Sequence, residues 1–82
     1  MDDVRMVAAG RLIVIDDDPA VGTYVGRVAR RAGFDVIVTA DAADFKQRVR
    51  SWHPAVIILD LGMPETDGVE LLRFLAGQRV TA

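Results

Sequence analysis

From Leu12 to Gly77 the chain alternates short unbroken apolar runs with longer segments whose apolar residues recur every three or four positions. Leu12 to Ile15 (LIVI) is continuous and rich in β-branched residues, the pattern of a strand covered on both faces. Val21, Tyr24, Val25, Val28 and Ala32 then fall at helical spacing, which predicts an amphipathic helix with those residues on its core side. Asp18 followed by Pro19 reads as its N-cap and first residue. Gly33 reads as its stop, with Arg30 and Arg31 at the negative end of the helix dipole.

The cycle repeats twice more. Phe34 to Thr39 (FDVIVT) predicts a second strand, and Asp41 caps a helix whose apolar face is Ala42, Phe45, Val49 and Trp52. Pro54 ends that helix, and Ala55 to Leu59 (AVIIL) predicts a third buried strand ending at Asp60. After the turn-rich stretch LGMPETDG, the residues Val69, Leu72 and Leu75, with Leu71 and Phe74, begin a third helix that Gly77 closes. Residues 1–10 show no period and read as a leader, leaving residues 11–82 as the domain.

Each crossover is long enough to hold a helix, so β-α-β-α-β-α implies parallel strands with right-handed connections. Ligands on such sheets gather at the carboxyl ends of the strands. Those ends carry Asp16 for the first strand and Asp60 for the third.

Composition narrows the reading. The 82 residues suffice for one domain, and 51% hydrophobic content with a mean hydropathy of +0.24 favours a packed core over disorder. No apolar run approaches a membrane span. Asp2 and Asp3 stand where a secretory signal would be basic, and there is no cysteine, so a cytoplasmic location is expected. A net charge of -2 gives no general reason to expect nucleic-acid binding.

One stretch resists a purely structural account. In IVIDDDP, residues 13–19, three carboxylates stand side by side although adjacent like charges repel. A solvated turn explains the stretch taken alone. With Asp60 brought to the same rim, the three adjacent aspartates and Asp60 converge on one pocket, which favours a hard divalent cation. Mg²⁺ suits the site because it keeps several waters and uses few carboxylates. His53 has no second histidine or cysteine to share a metal and reads as a surface residue, while Trp52 reads as packing.

IVIDDDPAV and DLGMPETDG, at this separation and within this rhythm, make the chain resemble the receiver domain of two-component response regulators. The resemblance covers the first three of that family's five βα units. It implies an α/β, flavodoxin-like parallel sheet in the order 2-1-3. It also implies that Asp60 accepts a phosphoryl group, and that Asp17, Asp16, Asp60 and the backbone carbonyl of Gly62 hold Mg²⁺. Met63 and Pro64 would shape the loop, Gly68 would allow a tight exit into the third helix, and Asp18 would cap the first. The partner implied is a sensor histidine kinase or phosphotransfer protein, and the chain is not expected to be an enzyme. The family also uses a Ser or Thr after strand four and a Lys after strand five. The sequence ends at Ala82, before either, and Lys46 lies mid-helix away from the carboxyl edge, so impaired phosphorylation is expected. The third strand would also keep an open edge, which predicts a homodimer through residues 55–59 paired antiparallel. Two other functions fit less well. One is a phospho-independent interaction module. The other is an aspartyl phosphatase using Asp16 and Asp18, which Pro19 argues against.

Overall fold

The computed structural model describes residues 10–60 and 68–78. Its elements are β1 (Arg11–Ile15), α1 (Pro19–Arg31), β2 (Asp35–Thr39), α2 (Ala42–Trp52), β3 (Val56–Leu59) and α3 (Gly68–Gly77). The strands form one parallel sheet in the order β2-β1-β3, the flavodoxin-like order expected. In register, Ile13 lies between Ile37 and Ile57, and Ile15 between Thr39 and Leu59.

Alternation along β1 divides the core into two layers. Ile13 and Ile15 point to one face, where they pack with Phe45 and Val49 of α2 and Leu71 of α3. Leu12 and Val14 point to the other, where they meet Ala29 of α1 and the half-buried Val25, Phe34 and Val36. All four are buried, so β1 is the covered central strand that its apolar run predicts.

The ends of the helices follow the local sequence. Asp18 accepts the Ala20 N–H at 3.0 Å, and Asp41 accepts the Asp44 N–H at 2.8 Å. At the end of α1, Gly33 adopts φ 102°, a left-handed conformation open to glycine at no steric cost. Its N–H donates to the Arg30 carbonyl at 3.0 Å while that of Phe34 donates to the Ala29 carbonyl at 3.1 Å, a Schellman closure. His53 ends α2 in the left-handed region, just before Pro54.

Two expectations are corrected. The first concerns α1, which buries Gly22, Gly26 and Ala29, not the stripe of larger apolar residues. Val21, Tyr24 and Val28 are 42%, 63% and 49% exposed. The cause is close approach: a Cβ on Gly22 would lie 2.8 Å from Val38 Cγ1, and one on Gly26 3.0 Å from Val38 Cγ2. The helix settles onto β2 through its smallest residues, which turns the large ones sideways. The second concerns β3, which is not buried on both faces. It is an edge strand, with Val56 and Ile58 more than a third exposed, because on their side α1 covers β1 and β2 instead. The third helix forms where its spacing predicts, burying Leu71 and packing Phe74 and Leu75 on the core, while Val69 and Leu72 face outward. Among the described residues, no helix is long and apolar enough to cross a membrane.

Candidate functional site

The carboxyl edge of the sheet is built by backbone bonds that continue one residue past the strands. The Asp16 N–H donates to the Thr39 carbonyl at 3.1 Å, and the Asp60 N–H donates to the Ile15 carbonyl at 3.1 Å. These bonds hold the first residue after β1 and the first after β3 beside each other. Thr39 adds a buried brace, its hydroxyl donating to the Val14 carbonyl at 2.7 Å. Sequence reading missed Thr39 as a positioning residue. The available signal was a polar side chain closing the apolar run VIV.

The charges meet on this rim. Asp16, Asp17 and Asp60 each offer a carboxylate oxygen, and these oxygens lie within 4.8 Å of one another. Asp16 and Asp60 are half-buried and Asp17 is exposed. Asp16 is further fixed by accepting the Asp18 N–H at 2.9 Å on Oδ1. Asp18, engaged with Ala20, is the capping residue expected. Two unit charges at such a separation repel by about 1 kcal/mol in water and by several times that at the effective dielectric of a protein surface. A divalent cation reverses the sign of this balance. Oxygens around Mg²⁺ sit about 2.1 Å from the ion, so direct ligands lie about 3–4 Å apart. Separations of no more than 4.8 Å are compatible with that range, with one carboxylate able to reach the ion through water. The donor set, all carboxylate, is the right one for a hard cation.

Beside the acidic rim runs a cleft floored by Val14 and Ile58 and walled by Val21 and Val25 of α1. Gly62, Met63 and Pro64 lie outside the described residues. Gly68 is the buried first residue of α3. The remaining residues singled out lie elsewhere. Lys46 forms an ion pair with Glu70 (Nζ to Oε2, 3.2 Å) and sits 5.6 Å from the Phe74 ring centroid, bridging α2 to α3. His53 precedes β3, at the end of that strand opposite Asp60. Trp52 packs against the core, and its carbonyl accepts from Arg11 at 2.5 Å.

Residues 12–81 match the response regulator receiver domain. The chain belongs to this family. It is similar to the DNA-binding response regulator MtrA of Mycolicibacterium smegmatis, with 35% identity over 75 residues, 92% of this chain and 31% of that protein. It is also similar to the alkaline phosphatase synthesis transcriptional regulatory protein PhoP of Bacillus subtilis, at 29% identity over 70 residues, 85% of this chain and 29% of that protein. A third relative is the transcriptional regulatory protein PrrA of Mycobacterium leprae, 35% identical over 69 residues, 84% of this chain and 30% of that protein. The chain thus spans less than a third of the length of these relatives. It is a response regulator receiver domain of two-component signalling, and its acidic rim occupies the carboxyl edge of the receiver sheet.

Proposed function

We propose that Asp60 is the phosphoacceptor of this receiver and that Asp16 and Asp17 hold Mg²⁺ beside it, with the Gly62 carbonyl as a further ligand. The observation that carries the reading is the convergence of the three carboxylates at the carboxyl edge, from the ends of two neighbouring strands. In the transfer, an Asp60 oxygen forms a bond to phosphorus as the bond from phosphorus to a histidine nitrogen breaks. The imidazole departs with the electron pair. Mg²⁺, when bound, offsets the negative charge shared by carboxylate and phosphoryl group. The protein's own task is positioning: the backbone bonds from Asp16 and Asp60 set the two carboxylates, and Thr39 stiffens the strand ends.

The donor in this reading is a phosphohistidine on a sensor kinase or phosphotransfer protein in the cytoplasm, docked over the acidic rim. The chain stores the group and turns over no substrate, so it is a signalling module and not an enzyme. Lys46 is engaged with Glu70 between α2 and α3, so it is not expected to serve the phosphoryl group.

Incubation with acetyl phosphate and Mg²⁺ tests the reading. A mass increase of one phosphoryl group, lost in Asp60→Asn and abolished by chelation, is the expected result. A folded chain that stays unlabelled would favour the phospho-independent interaction module, and label persisting in Asp60→Asn would place the acceptor elsewhere.

A further inference from the structure

One polar side chain is buried among the described residues, and it stands at the acidic rim. Thr39 is 2% exposed, on the face of the sheet that Ile13, Ile15, Ile37 and Phe45 otherwise make apolar. A valine would match its shape, and a buried hydroxyl costs free energy unless it is hydrogen-bonded. The bond it makes is to the main chain of β1, Oγ1 donating to the Val14 carbonyl at 2.7 Å. The Thr39 carbonyl in turn accepts the Asp16 N–H at 3.1 Å, so Thr39 grips β1 on both sides of Ile15. From the other side, the Asp60 N–H takes the Ile15 carbonyl.

We propose that the Thr39 hydroxyl sets the cation affinity of the acidic rim, as a positioning residue acting through Asp16. The inference rests on Asp16 and Asp17 being the holders of the cation. Asp16 is held at its N–H by Thr39 and at Oδ1 by the Asp18 N–H. The second bond fixes the carboxylate relative to the turn, and the first fixes the turn relative to the sheet. Without the hydroxyl, this end of β1 loses one of its ties to β2. The like charges of Asp16, Asp17 and Asp60 then push it in the direction that lets them spread apart. A cation would have to gather the carboxylates again as it binds, and that work is subtracted from its affinity. With the hydroxyl in place the carboxylates are held together beforehand. Residues that orient metal ligands without touching the metal change affinity by about 10–100-fold. Thr39 acts on the main chain and not on a carboxylate, so the lower end, about tenfold, is expected.

Calorimetric titration of the full chain with Mg²⁺ alone tests the inference. Thr39→Val keeps the branched shape without the hydroxyl and is expected to raise the Mg²⁺ dissociation constant about tenfold. Thr39→Ser keeps the hydroxyl and should bind as tightly as the parent. Thr39→Ala, which also lacks the hydroxyl, answers the same question should Thr39→Val fail to fold. Val49→Ala opens a cavity in the same apolar layer, at the end of the sheet opposite the rim, and should lower stability without changing the Mg²⁺ affinity of the folded chain. In the metal-free chain, the Asp16 amide should exchange with solvent faster in Thr39→Val, measured relative to the Ile13 amide. The inference is overturned if Thr39→Val binds Mg²⁺ as the parent does, if Thr39→Ser or Val49→Ala weakens binding as much, or if the Asp16 amide exchanges at its parent rate. Binding that the parent shows and Asp17→Asn lacks would in those cases leave the metal site itself standing. A parent that binds no Mg²⁺ overturns the metal site and this inference with it.

Discussion

The Asp60 N–H donates to the Ile15 carbonyl at 3.1 Å, so the residue that follows β3 is held by the residue that precedes Asp16. This bond spans 45 positions of sequence and brings the first acidic cluster to the second (60 − 15). It rests on the parallel register of β1 with β3, which sets Ile15 beside Leu59. A slip of one residue would turn every side chain of β3 to the opposite face, so burial of Ile57 and Leu59 also protects the site.

The convergence of Asp16, Asp17 and Asp60 predicts a site that destabilises the chain until a cation binds. Asp17→Asn keeps the shape and removes one charge. Without metal it is expected to be more stable than the parent by about 0.5–1 kcal/mol, a rise in Tm of roughly 3–6 °C for a domain of this size. The parent should gain about 2.7 kcal/mol when Mg²⁺ is present at a hundred times its dissociation constant, and the variant should gain little. Thermal unfolding with and without Mg²⁺ measures both. A variant less stable than the parent in chelator would contradict the reading.

Gly22 and Gly77 should respond oppositely to alanine. In Gly22→Ala the new methyl group meets Val38 Cγ1 at 2.8 Å, on a β-branched side chain with little freedom to turn away. Overpacking costs about 1–3 kcal/mol against a helix-propensity gain of about 1, so net destabilisation is expected. Nothing lies within 4 Å of the corresponding position at Gly77, where a gain of up to about 1 kcal/mol is expected. Urea unfolding of both variants gives the signs.

Phe45 is the largest of the fully buried side chains and touches the layer that holds Ile13, Ile15 and Leu71. Phe45→Ala should cost about 3–5 kcal/mol, enough to unfold a domain of this size. Loss of the native circular dichroism at 25 °C checks it. Asp41→Ala, which removes only a cap, should cost about 1 kcal/mol and leave the fold intact.

Lys46 separates a structural role from a chemical one. Its ammonium spans α2 to α3 through Glu70. Lys46→Met should cost less than about 1 kcal/mol, as partly exposed ion pairs do, and should leave the rate of Asp60 labelling unchanged. A large fall in labelling with stability preserved would show that the lysine serves the phosphoryl site.

Much of this architecture is legible in local pattern. The LIVI run, the Asp18-Pro19 and Asp41 caps and the Gly33 stop each depend on a few neighbouring residues, and the structure realises all of them. The acidic rim is legible for a related reason. Parallel crossovers force the strand ends to one edge, so Asp16 and Asp60 come together once the βα rhythm is recognised.

The orientation of α1 is a different matter. Hydrophobic spacing marks Val21, Tyr24 and Val28 as the buried face, because larger apolar side chains ordinarily release more free energy on burial. It carries no information about how near a helix axis can come to a sheet. That distance was decided by Gly22 and Gly26 lying over Val38, a contact between segments far apart in sequence. The chain alone therefore specifies its strands, its caps and the acidic residues that meet at the strand ends. Only tertiary packing decided which side of α1 looks inward, because close approach is a property of two surfaces brought together and not of either one.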